Sequence, residues 1–179
     1  MKTIYFIRHA ETDAVANDIL AGGEYETPLN DRGRAQAKAA AEYLKDKNVE
    51  LMMVSPMDRT RETADIIAKE LGLDTSKLVE SELVRERNFG SYSGRSYSEY
   101  SKQRQAGTLD QSQLEPLDQL HDRVSKAFAW LAARPEKTIV VVSHGSAGRM
   151  FRVVDQELAH NDFRFAKGFA NAEITEFTL

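Results

Sequence analysis

Two short stretches of this chain are apolar throughout and rich in β-branched residues, Thr3-Ile4-Tyr5-Phe6-Ile7 and Thr138-Ile139-Val140-Val141-Val142. Runs of this length without polar alternation predict strands buried on both faces. Leu51-Met52-Met53-Val54-Ser55 reads as another, Lys77 to Glu82 as an edge-like strand, and the alternation through Ile174, Thr175 and Phe177 predicts a last strand within Ala172 to Leu179. Between them the period changes to that of helices. Asn30 or Asp31 can cap a helix with Ala35, Ala39, Ala40, Tyr43 and Leu44 on one face. Pro56 is expected to open a helix carrying Arg59, Thr63, Ile66, Ile67 and Leu71, which Gly72 ends. Leu117, Leu120, Val124, Phe128 and Leu131 predict an amphipathic helix over residues 118 to 134, and a further helix should run from Ser146 to about Glu157.

Two segments break the rhythm. Residues 11 to 30 form a long connection with Ala21-Gly22-Gly23 and Thr27-Pro28-Leu29-Asn30 as its breakers, and loops of that length in a compact domain are more often functional than idle. From Gly90 to about residue 117 the composition shifts to Ser, Tyr, Gly and Gln, which predicts a loosely structured lid insertion with one short helix. The alternation of strands and helices implies a single domain over residues 1 to 179, a three-layer α/β/α fold with a mainly parallel central sheet.

A hydrophobic fraction of 41% and a charged fraction of 29% suit a water-soluble globular chain. No apolar run approaches a membrane span, so no membrane partner and a cytoplasmic location are expected. With no cysteine, disulfides and thiolate chemistry are excluded. The net charge of −4 argues against a nucleic-acid partner, which needs a broad basic surface. It also makes individual arginines informative, because an acidic chain that places Arg8 and Arg59 near histidines concentrates positive charge in one place.

The chemistry gathers at strand ends. The first buried strand finishes in Arg8-His9 and the other in Ser143-His144-Gly145, and open α/β sheets bind ligands at the carboxyl ends of their strands. Either histidine alone would read as an ordinary polar strand end; both together, with Arg8, point to a site for a small anion.

Four motifs, Arg8-His9-Ala10-Glu11-Thr12, the Ser55 to Ala64 stretch with Arg59, the Leu83 to Gly94 stretch with Glu86, and Ser143-His144-Gly145, stand in an order that resembles the histidine phosphatase superfamily, also called the phosphoglycerate mutase-like family. The resemblance implies a phosphoglycerate mutase-like fold and no metal or other cofactor. It implies that His9 is the residue phosphorylated, that Glu86 is the proton donor, and that Arg8, Arg59 and His144 hold the phosphoryl group, His144 as a charged or hydrogen-bonding wall. The family's pocket asparagine falls near Val15, with Asn17 the nearest candidate. Two positions depart from the family pattern: Ala10 stands for a glycine, and Tyr92-Ser93-Gly94 for an aromatic-glutamate-glycine run.

The chemistry agrees with these assignments. A neutral imidazole is a good nucleophile near pH 7, and nearby arginines both disfavour the imidazolium and neutralise the phosphoryl oxygens. Glu86 needs an apolar wall, for which Phe89 is the candidate, and alternation along an extended chain should turn Arg85 and Arg87 away from it. Ser146 N–H, near a helix start, is expected to add a donor to the pocket. The leading expectation is a phosphatase acting on a small phosphorylated metabolite through a phosphohistidine. The alternatives are a phosphoglycerate mutase, disfavoured by the short chain and small insertion, and a non-catalytic phospho-ligand binder, disfavoured by intact His9 and Glu86. A zinc or iron hydrolase is the poorest fit, since two histidines without a carboxylate cluster make a weak ligand set. Oligomeric state and substrate identity stay open.

Overall fold

The computed structural model describes residues 1–179, the side chain of Thr75 excepted. Five strands, β1 (Thr3–Arg8), β2 (Leu51–Val54), β3 (Leu78–Glu80), β4 (Thr138–Ser143) and β5 (Ile174–Thr178), form one sheet in the order β3-β2-β4-β1-β5. All neighbours are parallel except β5, which runs antiparallel to β1. The two fully apolar runs thus pair at the sheet centre, as their lack of alternation demands.

Helices cover both faces. Ile4, Phe6, Leu51, Met53, Ile139 and Val141 pack on one side against α5 (Leu117–Ala133) and α6 (Gly145–Asp155), while Tyr5, Ile7, Met52, Val54, Val140 and Val142 pack on the other against α2 (Asp31–Leu44) and α3 (Asp58–Leu71). Asn30 caps α2, its side-chain oxygen accepting from Gly33 N–H at 2.8 Å. Gly33 itself is required by packing: a Cβ there would lie 2.0 Å from the Glu11 carbonyl, so α2 can rest on the chain leaving β1 only with glycine at that position. The buried face of α2 is Gly33, Ala37, Ala40, Ala41 and Leu44, whereas Ala35, Ala39 and Tyr43 face solvent. An alanine-rich helix offers several nearly equivalent stripes, and only Ala40 and Leu44 of the expected face are core. Pro56 does not open α3; the helix begins at Asp58 after Met57, with Arg59 still in its first turn.

The connection after β1 contains a short helix, α1 (Asp13–Ala16). The segment between Glu86 and α5 is more ordered than its composition predicts. It carries 3-10 turns at Gly90–Tyr92 and Gln111–Gln113 and α4 (Tyr97–Ala106), whose cap Ser96 accepts from Glu99 N–H. Leu20, Phe89, Tyr100, Leu109 and Leu114 form its own small core. Asp18 fastens it to the connection after β1, accepting from the Ser96 hydroxyl and from the Ser98 hydroxyl and N–H. No helix among the described residues is long and apolar enough to cross a membrane.

Candidate active site

The pairing of β1 with β4 sets Arg8 against Ser143, so the chain leaves the sheet at two adjacent points carrying His9 and His144. His9 N–H donates to the Ser143 carbonyl at 2.8 Å, and the two imidazole rings lie 5.3 Å apart at 60°. On the far side of β4, the chain leaving β2 contributes Ser55, whose hydroxyl is 2.7 Å from Nε2 of His144.

Hydrogen bonding distinguishes the histidines. His9 Nδ1 is 2.8 Å from the Ala10 carbonyl. A carbonyl only accepts, so Nδ1 carries the proton and Nε2 keeps its lone pair. His144 engages Nε2 with Ser55, and its buried Nδ1 has no partner among the described residues. His9 lines the cavity at this sheet edge; His144 is wholly buried and does not. Burial drives the pKa of His9 well below 6.5, with Arg59 and then Arg8 adding to the effect. Burial does the same to His144, followed by Arg59. Both rings are therefore neutral near pH 7, and of the two expectations for His144 the hydrogen-bonding one fits.

Arg59 is 1% exposed although it carries a guanidinium. Its Nη1 donates to the Tyr25 carbonyl at 3.1 Å and its Nη2 to that of Gly22 at 2.7 Å, so the long connection after β1 exists in part to receive it. Burial pulls its pKa down to about 10, opposed by Glu86 and Glu26, which leaves it charged at neutral pH. Arg8 donates through Nη1 to the Phe169 carbonyl at 2.7 Å. Burial lowers its pKa too, with Glu86 opposing. The Nε atoms of both arginines are buried and unpartnered. The unpartnered Nε–H donors of Arg8 and Arg59 and the unpartnered Nδ1 of His144 thus lie near His9, where a buried donor without an acceptor costs about 1–3 kcal/mol until one arrives.

Glu86 lies across the start of α6. Its Oε1 accepts from Ser146 N–H at 3.1 Å and Ala147 N–H at 3.2 Å, and from Arg87 N–H at 2.8 Å. Ser146 N–H therefore serves the Glu86 side chain rather than standing free as a pocket donor. Of the flanking arginines only Arg85 turns away, donating to the Gly23 carbonyl and pairing with Glu82; Arg87 donates through Nε to the Glu115 carbonyl but lines the same cavity as Glu86. Phe89 is buried, packs with Leu20 and Tyr100, and lines the cavity.

Asn17 is not brought to the site. Its side chain is exposed and its amide donates to the Asp13 carbonyl at 2.8 Å, closing α1, while Val15 lines the cavity instead. Ala10 is outside the left-handed region and its methyl is fully buried beside Leu29 and Ala37, so alanine fits there without strain. Arg61 forms a two-pronged pair with Glu80 at 2.6 and 2.8 Å, facing away from the cavity as expected.

Sequence reasoning missed three residues that hold this geometry. Arg123 on α5 donates to the carbonyls of Leu83, Arg85 and Glu86 and pairs with Glu115, clamping the irregular segment that carries Glu86. Thr63 Oγ1 accepts from Ala10 N–H and donates to the Arg59 carbonyl. Asn171 Nδ2 donates to the His9 carbonyl at 3.0 Å. Only Thr63 had a local signal, its place one turn after Arg59. Among the described residues no group of three or more His, Asp or Glu side chains could hold a metal ion.

The model of the histidine phosphatase superfamily (branch 1) matches residues 4–179. The chain is 32% identical over 148 residues to an uncharacterized phosphatase, PhoE, of Bacillus subtilis, covering 82% of this chain and 74% of that one. It is 29% identical over 157 residues to a probable phosphoglycerate mutase, GpmB, of Escherichia coli, covering 82% and 71%. The solved structure of a mycobacterial glucosyl-3-phosphoglycerate phosphatase with VO3 superposes with a TM-score of 0.85 at 24% identity, over 98% of this chain and 92% of that one. With a family match that spans both histidine-bearing strands and everything between them, the chain belongs to the histidine phosphatase superfamily.

Proposed function

We propose that the chain is a phosphatase that hydrolyses a small phosphomonoester through a phosphohistidine at His9 Nε2. The observation that carries this reading is the tautomer of His9: with Nδ1–H committed to the Ala10 carbonyl, the lone pair is left on Nε2 of a neutral, cavity-lining ring. In the first step that lone pair forms a bond to phosphorus as the bond to the alkoxide breaks, and the alkoxide takes a proton from the Glu86 carboxyl. In the second, Glu86 takes a proton from water, the resulting hydroxide oxygen bonds to phosphorus, and the P–N bond returns its electrons to Nε2. Arg8 and Arg59 face the equatorial oxygens through their open Nε–H groups, which strengthens as negative charge spreads over them. His144 adds a neutral contact behind His9.

The insertion from residue 90 to 117 acts in this scheme as a lid over the cavity, and its small size leaves water access to the phosphoenzyme. That favours hydrolysis over return of the phosphoryl group to a bound acceptor. The test is incubation with chelator present, once with a phosphomonoester and once with 3-phosphoglycerate plus catalytic 2,3-bisphosphoglycerate. Phosphate release without added metal is expected; efficient conversion to 2-phosphoglycerate with negligible phosphate would replace the phosphatase reading with a mutase one.

A further inference from the structure

Ser55 meets the site through a single atom. Its hydroxyl oxygen lies 2.7 Å from Nε2 of His144, and no other hydrogen bond to that oxygen occurs among the described residues. Both residues are 0% exposed, so bulk water offers neither of them a second partner. The backbone of the serine is held on both sides. Its N–H donates to the Val142 carbonyl at 3.0 Å, and its carbonyl accepts from the Thr60 hydroxyl at 2.8 Å. Ser55 and His144 therefore meet in one fixed geometry, where β2 and β4 end side by side.

Counting protons decides which of the two donates. A neutral imidazole carries one N–H and one bare nitrogen, and a hydroxyl carries one hydrogen. If Nε2–H donated to Ser55, the serine hydrogen would have no acceptor and the lone pair of Nδ1 no donor, so two buried groups would go unsatisfied. If Ser55 donates to a bare Nε2, only Nδ1–H is left over. Each buried polar group left unmatched costs about 1–3 kcal/mol, which favours the second arrangement. The leftover donor then has a use. The two nitrogens of an imidazole point apart, and Nε2 is turned toward the β2 side of β4, whereas Arg8 and His9 stand on the β1 side. Because burial holds the ring neutral near pH 7, its tautomer decides what it offers there. A lone pair on Nδ1 repels a phosphoryl oxygen; an N–H binds one.

We infer that Ser55 is a positioning residue of the phosphoryl site: its hydroxyl donates to Nε2 of His144 and holds that ring in the Nδ1–H tautomer, which donates to an oxygen of the transferred phosphoryl group. This rests on the phosphatase reading, which puts the phosphoryl group beside His9 and the two arginines. The test is nitrogen-15 NMR of the four histidines of the whole chain at neutral pH, with His144 assigned by the signals lost in His144→Gln. A bare imidazole nitrogen resonates well downfield of a protonated one, so the tautomer is read directly. In the wild type the proton should sit on Nδ1, and the Nδ1–H signal should move when inorganic phosphate is added. Ser55→Ala should shift the proton in part to Nε2. It should also weaken phosphate binding, and lower kcat/KM on an activated aryl phosphate, by about fivefold each, the scale of one hydrogen bond. A proton on Nε2 of the wild-type ring, an Nδ1–H signal indifferent to phosphate, or a Ser55→Ala protein with unchanged tautomer or unchanged phosphate affinity would overturn the inference. The wild-type spectra decide it even where the variant does not fold. They need no turnover, so the two levels separate. A phosphate-responsive Nδ1–H in a protein that hydrolyses nothing would keep the inference and sink the phosphatase reading, and hydrolysis by a protein with Nε2–H at His144 would do the reverse.

Discussion

The inner and outer walls of the cavity are built by different means. The inner wall stands on the centre of the sheet: His9 and His144 leave paired strands, Arg59 is buried to 1% exposure, and the contacts that fix them join residues far apart in the chain, such as Asn171 to His9 and Arg123 to Glu86. The outer wall is made by one insertion whose small core is completed by Leu20 from the connection after β1, and its arginines, Arg95 and Arg104, are exposed. The difference teaches a division of labour. The residues proposed to meet phosphorus are placed by packing that cannot shift without disturbing the whole sheet, whereas the insertion over them is held mainly through Asp18 and Leu20.

That comparison can be broken at its strongest point first. Glu86→Gln should slow hydrolysis of an alkyl phosphate by about 10²–10³-fold and that of an activated aryl phosphate by less than about tenfold, since only the poor leaving group needs a proton. Equal losses on both would mean that Glu86 is needed for positioning and not as an acid. Arg59→Met should lower kcat/KM by about 10²-fold, the scale of one lost charge-stabilising donor. It should also move the acid limb of the pH profile upward. Arg59 and Arg8 help to hold His9 well below 6.5, so removing one lets the ring protonate at a higher pH, and the protonated ring has no lone pair to give. Burial, the larger cause, remains, so the limb should stay below 6.5. Arg61→Ala, which breaks only the exposed pair with Glu80, should change kcat/KM by less than about twofold and stability by ~0–1 kcal/mol. Similar pH profiles for the two variants would remove Arg59 from the inner wall.

The smallest effect concerns motion. Backbone amides of β1 and β4 should exchange with solvent only on global opening, while those of α4 should exchange at least about tenfold faster through local opening of the insertion. Equal protection would show that the two walls form one cooperative unit.

The inner wall was largely legible in the sequence because its signals are local. A run of β-branched residues that stops at Arg8-His9 or Ser143-His144 announces both the strand and its functional end, and the helix phase separated Arg59 from Arg61. What escaped had no local signature. Asn17 failed as a pocket residue because α1 turns its amide back onto Asp13, a detail of four residues that spacing does not reveal. Arg123 was hidden in an otherwise ordinary amphipathic helix, and the buried stripe of α2 was ambiguous among many alanines. The insertion looked loose because its apolar residues are few, yet Leu20 from the other connection completes their core.

The central claim is a covalent one, that His9 Nε2 carries the phosphoryl group in turnover. Rapid quenching of the enzyme with a labelled phosphomonoester tests it directly. Protein-bound phosphate should survive alkali, be lost in acid as a phosphoramidate is, map to His9, and vanish together with turnover in His9→Ala. An acid-stable label, a label on His144, or substantial turnover by His9→Ala would contradict the account.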